Sequence, residues 1–165
     1  MQKLLLLFFL LLSANMFAQS AKLDHIFLQA DSVVLIEHSD REGIEIVDSI
    51  GNNITPSFFV KGKLNDSIVL QRKNLSKPLV MQLLKVLKMQ NPKNIGSLGQ
   101  CFIPHHSISI YKNNKISFVD ICFGCHNYKV SNNLKPFIFM DFDKKWEKLE
   151  AFFKKNGFII KDLWP

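Results

Sequence analysis

Residues Ser107 to Tyr111 and Ile116 to Phe123 alternate apolar and polar side chains on either side of Asn113-Asn114. Asparagine tolerates positive φ, which a two-residue type I′ turn requires at both central positions, so the stretch reads as a β-hairpin. The register this turn sets places His105 opposite Cys122 and His106 opposite Ile121. It also returns Cys101 to the side of Cys122 and Cys125. Alternation puts Cys101, His105, Asp120 and Cys122 on one face. Pro104 and Gly124 distort the register locally, but the convergence of the three cysteines survives a slip of one residue. The hairpin therefore fixes where the chemistry of this chain can be.

Several chemistries fit that locality. A bridge from Cys101 to Cys122 or Cys125 is sterically reasonable, since a disulfide needs Cα atoms within about 7 Å. A local Cys122–Cys125 bridge would resemble the thiol oxidoreductases, which place C-x-x-C at a helix N-terminus to lower a thiol pKa. Here the pair follows a strand and precedes Asn127-Tyr128, with no helix pattern. Cys101, Cys122 and Cys125 with one of His105, His106 or His126 have the composition of a Cys₃His zinc site, although only one C-x-x-C knuckle exists. Cys122-Phe123-Gly124-Cys125-His126 also spells the pentapeptide that attaches haem c, with two thiols for the vinyl groups and an imidazole for iron. Met81, Met140, His25 and His38 are the distal ligands the sequence offers. Haem attachment usually sits in a helical wrapping, whereas this motif caps a strand. A cysteine hydrolase would pair Cys122 or Cys125 with His105 or His106, and it needs a positioned thiolate that a bridged cysteine cannot supply.

The compartment bears on that choice. Met1-Gln2-Lys3 is followed by an apolar run from Leu4 to Leu12 and by small and polar residues up to Phe17-Ala18-Gln19. This is the pattern of a secretory signal peptide over 1–18. Ser13 and Asn15 interrupt the run well short of the roughly 20 apolar residues a membrane span needs. No cysteine follows it that could be acylated. Residues 19–165 are then expected to be a periplasmic or secreted protein without a stable membrane anchor, in a compartment that favours a disulfide.

That remainder suits one α+β domain, large enough to bury a core without disulfide staples. With 47% apolar residues and 15 phenylalanines over all 165 residues, the chain is not a disordered one. Three cysteines are too few for a disulfide scaffold and leave at least one thiol over. Residues 19–60 carry a net charge of −5 and residues 61–165 a net of +11. The basic half could meet an anionic surface partner, although solvated lysines that keep the domain soluble explain it as well. Two arginines and no basic run interleaved with aromatics make nucleic-acid binding a poor fit.

Asp31 to Leu75 reads as a meander of short antiparallel strands: Val33–Ile36, a strand marked by Ile44, Ile46 and Ile50, Phe58–Val60, and Ile68–Leu70. Gly51-Asn52-Asn53 and Asn65-Asp66 supply turns. Ser76 caps a helix with Pro78 in its first turn, and Leu79, Leu83 and Leu87 with Val80, Leu84 and Val86 form its apolar face. A second helix, from about Asp143 to Lys155, presents Trp146, Leu149 and Phe153, and Gly157 ends it in a left-handed cap. The expectation is an antiparallel sheet, made of an N-terminal meander plus a C-terminal hairpin, with two core helices.

Cys101-Phe102-Ile103-Pro104-His105-His106, the Ile108–Tyr111 strand and Ile121-Cys122-Phe123-Gly124-Cys125 together resemble a family of small, mostly uncharacterised proteins. Its pattern is C-F-x-P-[R/H]-H-x-I, a hairpin, then I-C-F-x-C, with a closing helix near K-x-x-G; the resemblance covers about residues 77–160. It implies no activity. It does imply that Cys101, His106, Cys122 and Cys125 form a shared unit. The position after the second C-x-x-C cysteine is not fixed as histidine in that family, which makes His126 incidental and counts against haem.

Overall fold

The computed structural model describes residues 21–39, 46–47, 53–54, 59–60, 63–90, 101–138, 140 and 143–160. The signal peptide expected over 1–18 lies outside them, as do Ile44, Ile50 and Phe58 of the expected meander.

Val33, Leu35, Val34 and Ile36 are all nearly inaccessible, at 3%, 0%, 6% and 0%. A strand apolar on both faces needs a neighbour on each edge and cover on each side, which is a central position. The strand that contains them, β1 (Ser32–His38), takes that place. It pairs antiparallel with β6 (Val69–Asn74) on one side and with β7 (His106–Lys112) on the other. β8 (Lys115–Cys122) and β9 (Asn127–Val130) complete a five-stranded antiparallel sheet of order β6-β1-β7-β8-β9. Between β1 and β6 run two short ribbons, β2 (Ile46–Val47) with β3 (Asn53–Ile54), and β4 (Phe59–Val60) with β5 (Lys63–Leu64). The fold is α+β with an antiparallel sheet, but its first half is not a simple meander. β1 skips its sequence neighbours and inserts between β6 and the hairpin, where both of its edges are paired.

The hairpin has the expected register. His106 pairs with Ile121, Ser107 with Asp120 and Lys112 with Lys115. Asn113 and Asn114 adopt φ of 50° and 59°, as a type I′ turn demands. The Asn113 N–H also donates to the Asp31 carboxylate at 2.8 Å, which ties the turn to the start of β1. Beyond Cys122 the chain reverses again, with His126 at φ 45°, and adds β9 alongside β8.

Among the described residues three α-helices cover one face of the sheet, one more than the two expected. α1, over residues 21–28, sends Leu23 and Phe27 into the core one turn apart. The Lys88 ammonium just past α2 (Lys77–Leu87) donates to the Asp24 carboxylate at 2.7 Å, fastening α1 there. In α2 the buried face is Val80, Leu83, Leu84 and Leu87. Ser76 occupies the cap position with extended backbone, yet its side chain makes no capping bond.

In α3 (Asp143–Lys155) the buried face is Trp146, Leu149, Phe152 and Phe153, joined by Lys145. A lysine only 3% exposed needs acceptors, and Lys145 donates to the Leu87 carbonyl at the C-terminus of α2 at 3.2 Å. That end of a helix carries unpaired carbonyls and partial negative charge, so the cation serves both helices at once. Gly157 closes α3 at φ 93°, with its N–H on the Lys154 carbonyl and that of Phe158 on the Phe153 carbonyl. This is the left-handed cap read from the sequence.

Candidate functional site

β8 ends where its core-facing residues Val119, Ile121 and Phe123 meet the helices, so Asp120 and Cys122 face the other side of the sheet. The turn that follows carries Cys125 beneath the segment leading into β7. There Cys125 and Cys101 form a disulfide, with Cα atoms 5.9 Å apart. The Asn127 side-chain amide donates to the Cys101 carbonyl at 3.0 Å and holds the same two segments together. Cys122 is the free cysteine, 1% exposed, and its sulfur accepts from the Cys125 N–H at 3.3 Å. Burial pushes the Cys122 thiol up, outweighing the backbone donors of Ile103 and Cys125 that favour thiolate. A buried thiol with a raised pKa is a poor nucleophile, and the other two sulfurs are bonded to each other.

The two adjacent histidines part company. His106 lies on the core side at 4% exposure, its ring edge-on to Phe123, Phe153 and Phe158 with centroids 5.3, 5.6 and 6.4 Å away. Burial lowers its pKa to about 4, helped by the charges of His105 and His38 and opposed by the Ile159 backbone. His105 is half-buried. The Nε2 atoms of both rings are buried without a hydrogen-bond partner. His126 stacks flat on Trp146, with centroids 5.2 Å apart and planes within 3°, and its Nδ1 lies 3.7 Å from the Asp143 carboxylate.

This arrangement bears on the cofactors the motifs suggested. A Cys₃His zinc set would need Cys101 and Cys125 as thiolates, and both are spent in the bridge. Among the described residues, no group of three His, Cys, Asp or Glu side chains is placed to hold a metal ion. Haem attachment would need the same Cys125 sulfur, and Trp146 covers one face of the His126 ring. Of the distal ligands considered, Met140 is fully buried in the core and Met81 is 54% exposed on α2.

His38 is engaged elsewhere, in a pairing that sequence reasoning missed. Its Nε2 lies 3.0 Å from the Asp120 carboxylate and its Nδ1 3.1 Å from the Ser39 carbonyl. Both ring nitrogens thus lie against oxygen atoms. The result is a histidine–carboxylate contact buried at 0% and 2% exposure. Ser107 sits directly opposite Asp120 in the hairpin, yet the hydroxyls of Ser107 and Ser109 have no hydrogen-bond partner. A serine, a histidine and an aspartate here do not make a catalytic triad. Asp120 and Ser39 occupy both nitrogens of His38, leaving no lone pair for a serine hydroxyl. The available signal was the run of polar residues, His38, Ser107, Ser109 and Asp120, within strands otherwise rich in Ile and Val.

A pocket of about 270 Å³ opens where β1 bulges between Glu37 and His38. His105, His106 and Phe123 line it, and Leu70 and Ile159, 66% and 67% exposed, stand among its walls. Here the buried histidine has a measurable consequence. His106 keeps a folded pKa near 4 against an ordinary 6.5, so between those values the unfolded chain binds more protons than the folded one. Stability should therefore be full above about pH 6.5 and fall as pH drops toward 4. Urea midpoints measured across that window should decline, and His106→Phe should flatten the decline. A decline of equal steepness in the variant would assign it to other groups.

No helix among the described residues is long and apolar enough to cross a membrane. Comparison of the chain with protein-family models, curated proteins and solved structures finds no match.

Proposed function

We propose that this is an exported protein whose Cys101–Cys125 disulfide is a structural staple, and that it works by binding rather than by chemistry at its cysteines. The observation that carries this reading is the partition of the three sulfurs. Two are joined across the mouth of the hairpin, and the third is sealed in the sheet with a raised pKa. Redox catalysts keep a low-pKa thiol within reach of a partner, and cysteine hydrolases keep a thiolate beside a base. Neither device is built here. The bridge also suits the oxidising compartment implied by the N-terminal residues.

Counting thiols on the secreted protein tests the reading directly. Maleimide should modify no cysteine in the native state and one per chain in denaturant, and mass spectrometry should assign that one to Cys122. The same spectrum should show a mature N-terminus near Gln19. Three alkylatable thiols would overturn the staple and reopen zinc ligation. A mass increment of haem on Cys122 and Cys125, with a Soret band that survives denaturing electrophoresis, would replace it with an electron-transfer reading.

A further inference from the structure

We propose that the pocket at the end of β1 binds a small primary amine with an apolar tail, its ammonium group held by the Glu37 carboxylate. This ligand class rests on the reading of the protein as one that works by binding, and the thiol count that tests the bridge is independent of the titration below. Charge is the first guide to the ligand. Glu37 lines the pocket half-buried, and among the described residues its carboxylate has neither an ion pair nor a hydrogen bond. Its neighbours in the ladder do not serve it. The Gln71 amide donates to the Gly157 carbonyl at 3.3 Å, and the Nε2 of His106 is buried without a partner. His38, the next residue, is engaged with Asp120 and Ser39. Among the described residues no lysine or arginine lines the pocket, although the chain carries 21 of them. A carboxylate partly withdrawn from water and left unpaired is a place for a cation.

The remaining walls are apolar and define the tail. Phe123 contributes an aromatic ring, while Leu70 and Ile159 hold large apolar side chains in solvent at 66% and 67% exposure. Exposed apolar groups gathered around a cavity signify a binding surface more than scattered ones do. A volume of about 270 Å³ suits a chain of several carbons. The head group follows from Glu37. An anion would meet the carboxylate at close range, and an uncharged head would leave it unpaired; an ammonium group does neither. The net charge of +7 opposes a cation only at long range. Salt screens exposed charges beyond roughly 10 Å, so the carboxylate at the contact decides.

The test is titration of the secreted protein with hexylammonium, 1-hexanol and hexanoate, followed by the side-chain resonances of Glu37, Leu70 and Ile159. Hexylammonium should give saturable shifts at all three, with 1-hexanol weaker and hexanoate weakest. Glu37→Gln keeps the shape of the side chain and removes its charge. It should weaken hexylammonium by about tenfold or more, the lower end of what a hydrogen bond between charged groups is worth, and leave 1-hexanol nearly unchanged. Ile159→Ser alters an exposed position that the fold can spare, and it should weaken hexylammonium and 1-hexanol alike while leaving the urea midpoint in place. That split between the variants separates the counter-ion from the apolar wall, which a merely structural role for Glu37 would not do. The proposal is overturned if hexylammonium gives no saturable shift, if hexanoate binds as tightly, or if Glu37→Gln leaves the preference for hexylammonium over 1-hexanol intact.

Discussion

Asp120→Ala should lower the stability of this protein by about 1–3 kcal/mol, because it leaves the His38 ring at zero exposure without its carboxylate. The effect is large because desolvation of the remaining partner is no longer offset, and not because the pair itself is strongly stabilising. Replacing both partners by apolar groups of similar size is often close to neutral. The double variant His38→Leu, Asp120→Leu should then recover most of what the single substitution loses. Urea unfolding of the two single variants and the double variant gives the coupling directly. Additive losses would show that the two side chains act independently.

Removing the Cys101–Cys125 bridge should cost about 3.5 kcal/mol, the chain-entropy value for a loop of the size set by a sequence separation of 24. Cys101→Ser, Cys125→Ser and the double variant should all lose nearly the same amount, since each removes one and the same cross-link. Their urea midpoints should coincide with that of the reduced wild-type chain. Cys122→Ala, by contrast, should be unaffected by reductant beyond the wild-type response. A loss under about 1 kcal/mol for the bridge variants would mean that the Asn127–Cys101 hydrogen bond and the surrounding packing already hold the hairpin mouth closed.

The parts of this fold that were legible are those governed by local rules. Asn113-Asn114 specify a turn with two positive φ values, and the turn specifies the register of every pair in the hairpin. The same register brought Cys101 to the C-x-x-C segment, although the choice of Cys125 over Cys122 was left open. Gly157 and the aromatic spacing of α3 are equally local signals. What escaped depends on contacts between distant segments. His38 and Asp120 are 82 residues apart, and no pattern in either neighbourhood names the other. Lys145 reads as a solvent-facing lysine until α2 ends beside it. α1 offers only Leu23 and Phe27 as fully buried anchors in a short helix, too few to establish a period. β9 has Tyr128 and Val130 on one side, but it follows the C-x-x-C turn so closely that its pairing with β8 was not evident.

The position of β1 governs the order in which the molecule can be assembled. It lies between β6 and β7, so one row of its backbone hydrogen bonds waits for a strand that begins at His106. A chain emerging from the ribosome with its N-terminus first can at most pair β1 with β6. Its other edge stays open until the second half of the chain has been made. Contacts that span so much sequence carry a loop-closure cost and form late. The nascent chain therefore keeps that edge unpaired for most of its synthesis. The same delay leaves an apolar strand edge exposed, so chaperone cover should matter most before β7 has emerged.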